Sequence, residues 1–431
     1  MVLSGIKSIT MEIEITPFLR KSLVALVECV LAHGQCPADT IFQNFVQEKR
    51  LNSTKRRLLA SLFFDLLRKY WACVSLAAAN NAEHIVSAYF KLQEMPGTPE
   101  WPATLPMNMS NDIWQSFQNS FESPASAIRE AKEVQKAAFV DIRVNTFAGF
   151  TKSFVARSLC AAGLFVDELP LEDGLRLKDR VDFSKNQLYK EGAFEIQDFG
   201  SQLVARLCCF AGVSSVLDYC AGGGGKSLAI LNALPKLQDL CLADIAPTRL
   251  TAAKLRFSKI RDFARQKRLF EGEMGPTKTF FQNIHTGGKV SFGAPGDVAS
   301  DPFDLVIVDA PCSGIGTLKR NPWLTVHLSK SKIEDYAGAQ RGILSNAANF
   351  VKKGGYIAYI TCSLLREENE DIVAAFLAAN PDFAPIDVAQ CWELCYGCNI
   401  PIPLGVARPS LRLLPSFCKS DGFFLSIMRK K

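Results

Sequence analysis

Two cysteines in the last third of the sequence sit in near-twin settings. Cys312 closes the run Asp304-Leu-Val-Ile-Val-Asp309-Ala310-Pro311-Cys312-Ser313-Gly314, and Cys362 closes Tyr356-Ile-Ala-Tyr-Ile-Thr361-Cys362-Ser363. Each thiol follows a short apolar run rich in Ile, Val or Tyr, the pattern of a buried strand. Ligands of open α/β sheets bind in the crevice outside the carboxyl ends of the strands. A thiol placed there can act as a nucleophile on a substrate. The pair implies covalent chemistry beside a bound cofactor, with either thiol able to attack.

A cofactor site is suggested upstream. Asp218-Tyr219-Cys220-Ala221-Gly222-Gly223-Gly224-Gly225-Lys226-Ser227 reads as a strand entering a glycine-rich turn and then a helix. Consecutive glycines allow positive φ and let backbone N–H groups approach a ligand. The turn is not a phosphate loop, because Cys220 stands where the first glycine of Gly-x4-Gly-Lys-Ser belongs, and no GxGxxG fingerprint is present. The next strand ends at Asp244, near the spacing at which an acid meets a ribose hydroxyl pair. The alternative for Asp244 is a helix cap before Pro247. Turn and acid together favour a nucleoside-containing cofactor.

These groups need a scaffold. Strand and helix alternate over Val213–Cys220, Lys226–Ala233, Leu240–Ile245, Pro247–Arg265, Phe303–Ala310, Ser331–Lys352, Gly355–Cys362 and Glu367–Ala379. That order predicts an α/β, Rossmann-like doubly wound sheet. Residues 272–300, rich in Gly, Pro, Lys and Thr, form a long connection. Ahead of this lies a small α+β unit, with strands over Ala137–Asn145 and Leu164–Leu169 and a helix over Thr151–Gly163. The N-terminal region reads as helices over Phe18–Ala32, Ala38–Glu48, Ser53–Ala77 and Asn111–Phe121, with a proline-rich stretch at Met95–Pro106.

In this order, the glycine turn, Asp309-Ala-Pro-Cys-Ser-Gly314, Gly316-Thr-Leu-Lys-Arg-Asn-Pro322 and Thr361-Cys-Ser363 resemble the motifs of the RsmB/Sun-type RNA (cytosine-5) methyltransferases. Gly192–Ser201 is similar to that family's upstream motif, and Leu411–Pro415 and Asp421–Phe424 to its terminal strands. The resemblance implies a NusB-like helical RNA-binding domain at 1–122, an RRM-like subdomain at 123–192 and an S-adenosylmethionine-dependent catalytic domain at 193–431. It assigns the nucleophile to Cys362, product release to Cys312, and contacts with cytosine and cofactor to Asp309. It gives S-adenosylmethionine to Cys220, Ala221, Gly222, Gly223, Gly224, Gly225, Lys226 and Asp244, and RNA contacts to Lys226 and Arg320. Gly223 stands where the family usually has proline, so a looser turn with retained binding is expected. The family's adenine-contacting Asp has no clear counterpart; Asn283 is the nearest candidate.

Ribosomal RNA is the favoured substrate, with transfer RNA the alternative. A DNA cytosine-5 methyltransferase would carry Glu-Asn-Val rather than Thr361-Cys362-Ser363 on the later strand. A non-catalytic RNA-binding or ribosome-assembly protein would not need both cysteines, Asp309 and Asp244. Cys391-x3-Cys395-x2-Cys398 has the spacing of a radical iron–sulfur triad but lies late in the sequence, and zinc lacks a nearby fourth ligand. No metal is expected.

The formal charge of +6 is modest among 431 residues. Basic residues nevertheless cluster at Lys55-Arg56-Arg57, along Lys254–Arg268 and at Lys319-Arg320, which favours a polyanionic partner over mere solvated faces. Fourteen scattered cysteines, many inside apolar runs, suggest reduced thiols in the cytoplasm. The first residues lack a signal-peptide core, and no apolar run is membrane-length. A monomer is expected.

Overall fold

The computed structural model describes residues 16–34, 36–94, 108–178, 181–234, 236–267, 289–298, 301–396 and 409–431. They form two compact units, one drawn from 1–111 with Asn321–His327, the other from 112–320 with 328–431.

The first unit is helical: Pro17–Ala32, Ala38–Glu48, Ser53–Arg68, Tyr70–Leu76 and Ala82–Glu94. Thr16 caps the first helix and Asn52 the third through their side chains. Apolar residues at helical spacing, among them Leu23, Leu26, Phe63, Leu67 and Tyr89, form its core. The helix expected over Ser53–Ala77 is broken at Lys69. Trp323 and Val326, from the late segment, pack on the same core. His327 Nε2 donates to the Val30 carbonyl at 2.6 Å, and Trp71 Nε1 to that of Thr325 at 3.0 Å.

The second unit contains two sheets. Strands β1 (Val140–Val144), β2 (Val166–Glu168), β3 (Gly174–Leu177) and β4 (Phe194–Ile196) form an antiparallel sheet in the order β2-β3-β1-β4. The helix Lys152–Ala161 lies between β1 and β2 in the chain. Neither β3 nor β4 was expected from the sequence; each is only three or four residues long, too short to show a period.

The larger, eight-stranded sheet comprises β5 (Ser215–Asp218), β6 (Asp239–Ala243), β7 (Lys289–Gly293), β8 (Phe303–Asp309), β9 (Val351–Thr361), β10 (Phe383–Pro385), β11 (Leu411–Leu413) and β12 (Phe423–Lys430). Its order is β10-β12-β9-β8-β5-β6-β7, with β11 paired to β12. Strands β5 to β9 pair in parallel, and β12 runs antiparallel to β9. Alternation along the strands divides the interior between two faces. Val216, Leu305, Ile307, Ala358 and Ile360 enter one core, while Leu217, Val306, Val308, Ile357 and Tyr359 enter the other. That is the doubly wound α/β fold the alternation predicted. The helix expected over Ser331–Lys352 stops at Ala348, because β9 begins at Val351. β7 falls inside the stretch expected as connection, and the rest of that stretch, like Met95–Pro106, lies largely outside the described residues.

Candidate active site

β8 and β9 are parallel neighbours, with Asp309 in register with Ile360. Their carboxyl ends therefore deliver Cys312 and Cys362 to one place, and the two sulfurs lie 3.4 Å apart. The loop after Cys312 turns through Gly314 in the left-handed region. Gly316 N–H then donates to the Cys362 carbonyl at 2.9 Å. A Cβ on Gly316 would stand 2.7 Å from that oxygen and collide with the carbonyl of Gly422. Only glycine allows this approach.

Beneath the thiols lies a carboxylate that sequence reasoning missed. Glu368 is fully buried. It accepts from Ser313 N–H at 2.8 Å and from the Ser313 and Ser363 hydroxyls at 2.5 Å each. Gln340 Nε2 adds a fourth bond at 3.1 Å and also reaches the Pro311 carbonyl. One side chain thus ties the residue after Cys312 to the residue after Cys362. Burial raises the Glu368 carboxyl, and these donors oppose the rise. The Cys312 thiol is pushed well above its ordinary value, first by its hydrogen bond with Cys362, then by burial and the nearby charges. The raised Cys312 thiol favours S–H, and either sulfur can be the donor in its contact with Cys362.

On the other side, Lys226 Nζ donates to Asp309 Oδ2 at 2.6 Å. Burial would lower this ammonium, but Asp309 outweighs it and holds it raised. Both residues border a cavity of about 760 Å³, which Cys220, Ala221, Gly222, Gly223, Gly225 and Asp244 also line. The cofactor residues expected from the sequence converge here, apart from Gly224 and Asn283. Gly224 (φ 75°) packs against Phe257, Ala253 and Leu242, so it shapes the turn. Asn283 lies outside the described residues.

The cavity suits a nucleoside-sized group. Nothing lies within 4 Å of where a Gly222 Cβ would be, leaving the backbone open to a ligand. Asp244 presents a carboxylate oriented by Gly222 N–H at 2.9 Å and Ala246 N–H at 2.7 Å. Ile245, at the cavity, is 84% exposed, an apolar surface that a flat base would cover. Sequence reasoning missed it because one Ile at a strand end carries no signal.

Two basic residues expected to face a polyanion are engaged internally. Arg320 donates to Asp198 at 2.6 Å, Asp421 at 2.8 Å and the Phe139 carbonyl at 3.1 Å. Arg256, from the Lys254–Arg268 cluster, donates to the Gly223 carbonyl at 2.6 Å and to Glu195 at 2.6 and 3.0 Å. This clamp ties the Gly223 carbonyl of the turn to Glu195 through one guanidinium. Among the described residues no His, Cys, Asp or Glu group could hold a metal. Cys391 and Cys395 sit on one helix, and Cys398 lies outside the described residues.

Residues 212–429 match the family model described as 16S rRNA methyltransferase RsmB/F. The chain belongs to this family. The probable ribosomal RNA small subunit methyltransferase B of Bacillus subtilis is 30% identical over 276 residues, covering 63% of this chain and 56% of that relative. The ribosomal RNA small subunit methyltransferase B of Xanthomonas campestris is 29% identical over 366 residues, covering 83% and 74%. Among solved structures, PH0851 shares 19% identity at a TM-score of 0.68, covering 95% of this chain and 99% of that one. A methyltransferase homolog from Pyrococcus horikoshii shares 22% at 0.54, covering 74% and 95%. These likenesses establish the methyltransferase fold. No helix among the described residues is long and apolar enough to cross a membrane.

Proposed function

We propose that this chain methylates carbon 5 of a cytosine in RNA, with ribosomal RNA the favoured substrate and S-adenosylmethionine the donor. The observation that carries the reading is the pair of sulfurs 3.4 Å apart, at the ends of adjacent parallel strands, beside the cavity formed by the glycine turn. Family membership and the names of the relatives support it.

Carbon 5 of cytosine is a poor nucleophile until a thiolate adds at carbon 6. The Cys362 thiolate forms that bond, and the electron pair of the 5,6 double bond moves to make carbon 5 enamine-like. S-adenosylmethionine, when bound, supplies the methyl group that carbon 5 takes up. Transfer of the carbon-5 proton to solvent leaves its electron pair to restore the double bond and expels the Cys362 thiolate. Cys312, as S–H, donates a hydrogen bond to the departing sulfur and so assists release. Asp309, positioned by Lys226, accepts from the cytosine amino edge. Residues 1–122 serve as an RNA-binding module.

Cys362→Ala is expected to abolish methylation, and Cys312→Ala to accumulate a covalent protein–RNA adduct visible as a gel shift. Full turnover by Cys362→Ala would defeat the assignment. Bisulfite sequencing of ribosomal and transfer RNA from a deletion strain identifies the modified cytosine.

A further inference from the structure

A second cavity, of about 680 Å³, opens beside the segment that follows the Cys362 loop, and its lining is arginine-rich. Arg129, Arg366 and Arg412 line it together with Ser120, Ser123 and Ser126; Glu122 and Glu370 lie there as well. Arg366 comes four residues after Cys362, so even a fully extended chain keeps their Cα atoms within about 14 Å.

The acids around this cavity orient the arginines through one edge. Arg129 Nε donates to Glu130 at 3.0 Å, and Glu130 is itself fixed by Ser416 N–H and hydroxyl. Arg366 Nε donates to Asp371 at 3.0 Å, and its backbone N–H to Ser120 Oγ at 2.9 Å. The terminal nitrogens of both arginines make no hydrogen bond to any described residue, and their side chains are 61% and 63% exposed. Arg412 differs: it is half-buried, pairs with both oxygens of Glu370 at 2.6 Å and donates to the Ser120 carbonyl. It neutralises Glu370 and braces the wall. The helix Pro124–Val134 begins at the cavity, capped by Ser123, and adds the positive end of its dipole. The cavity lining thus offers two guanidinium groups held through Nε with their terminal nitrogens unused among the described residues, the kind of fork that can bind phosphate oxygens in pairs.

We propose that this cavity seats a backbone phosphate of the RNA strand flanking the target cytosine, held by the terminal nitrogens of Arg129 and Arg366. This rests on the RNA reading above and extends it to how the strand is held. Such contacts position a strand without reading its sequence.

The test uses the full chain and labelled oligocytidylate RNA, since phosphate contacts do not depend on sequence. Anisotropy titrations over a salt series compare the wild type with Arg129→Gln/Arg366→Gln and with Arg129→Lys/Arg366→Lys. The Gln pair is expected to weaken binding roughly tenfold. It should also flatten the slope of log affinity against log salt by about 0.7 per arginine lost. The Lys pair should keep the slope, which a purely structural role would not require. In methylation assays the Gln pair should raise KM and leave kcat at saturating RNA unchanged.

An unchanged slope and affinity in a Gln pair that melts like the wild type overturns the proposal. So does a fall in kcat alone, or loss of inorganic phosphate binding without any change toward RNA, which would make the cavity a free-anion site. A wild type that binds the RNA with these slopes but methylates no cytosine would defeat the proposed function and leave the phosphate site standing.

Discussion

Removing the Glu368 carboxylate tests whether one buried acid holds the two thiol loops together. In Glu368→Ala four donors lose their acceptor: Ser313 N–H, the Ser313 and Ser363 hydroxyls, and Gln340 Nε2. Two of these can be rescued. The hydroxyls already lie 3.2 Å apart and can bond each other, and Gln340 keeps the Pro311 carbonyl. That strands Ser313 N–H and one hydroxyl proton, at about 1–3 kcal/mol each. With roughly 1 kcal/mol for the void, Glu368→Ala should destabilise by about 5 kcal/mol. Glu368→Gln keeps one acceptor oxygen, presents an amide that rotated hydroxyls can accept from, and removes a buried charge. Its loss should be only about 1–2 kcal/mol. Urea unfolding followed by circular dichroism measures the difference, about 3 kcal/mol. Single-turnover methylation should fall at least about a hundredfold in the Ala variant, because a misplacement of about 1 Å has that effect. The Gln variant should stay within roughly tenfold of the wild type. The reasoning fails if Ala and Gln are equally stable, or if the Ala variant turns over normally.

The glycine turn makes a paired prediction. Gly224→Ala forces a Cβ into a left-handed position with Phe257 at 3.2 Å, so it should lose about 1–3 kcal/mol and weaken cofactor binding by calorimetry. Gly223→Ala meets only the end of Arg256 at 3.3 Å and should be nearly neutral in both measurements. Asp218 gives a pH signature, since burial raises its carboxyl to about 7. The stability of its protonated form is complete below about pH 4 and is lost as pH rises through about 7. Asp218→Asn lacks that loss, so wild-type stability relative to the variant should fall by on the order of 4 kcal/mol from about pH 4 to pH 8; a flat difference would refute the burial argument. Finally, diamide should oxidise Cys312 and Cys362 to a disulfide, since sulfurs 3.4 Å apart need only approach to about 2.0 Å. Mass spectrometry should find one linked peptide pair, and dithiothreitol should restore methylation.

Much of the site was legible because its strands are long, apolar and end in chemistry. β8 and β9 announce themselves through runs such as Leu305–Val308 and Tyr356–Ile360, and the thiols follow directly. Glu368 was hidden for a physical reason. It stands in Arg366-Glu367-Glu368-Asn369-Glu370-Asp371, which reads as a solvated helix start, yet only Glu368 of its four acids is buried. Burial of one member of an acidic run depends on tertiary packing, which spacing does not encode. Arg256 misled in the opposite direction, since its partner Glu195 is 61 positions away. β7 was missed because Lys289–Gly293 carries one Val and one Phe among polar and small residues. Lys69 broke a helix whose period runs on without interruption, a local hydrogen-bond change that periodicity does not register.

The helical unit is not completed by contiguous chain. Trp323 and Val326 pack on its core, and His327 closes a bond to Val30. During synthesis its helices emerge before Trp323, Val326 and His327, and these contacts cannot form until the chain has been extended past residue 327. Strands β1 to β8 are by then already made. The helical unit is therefore finished only after these later strands have been made, and its maturation is timed by elongation through the active-site motifs.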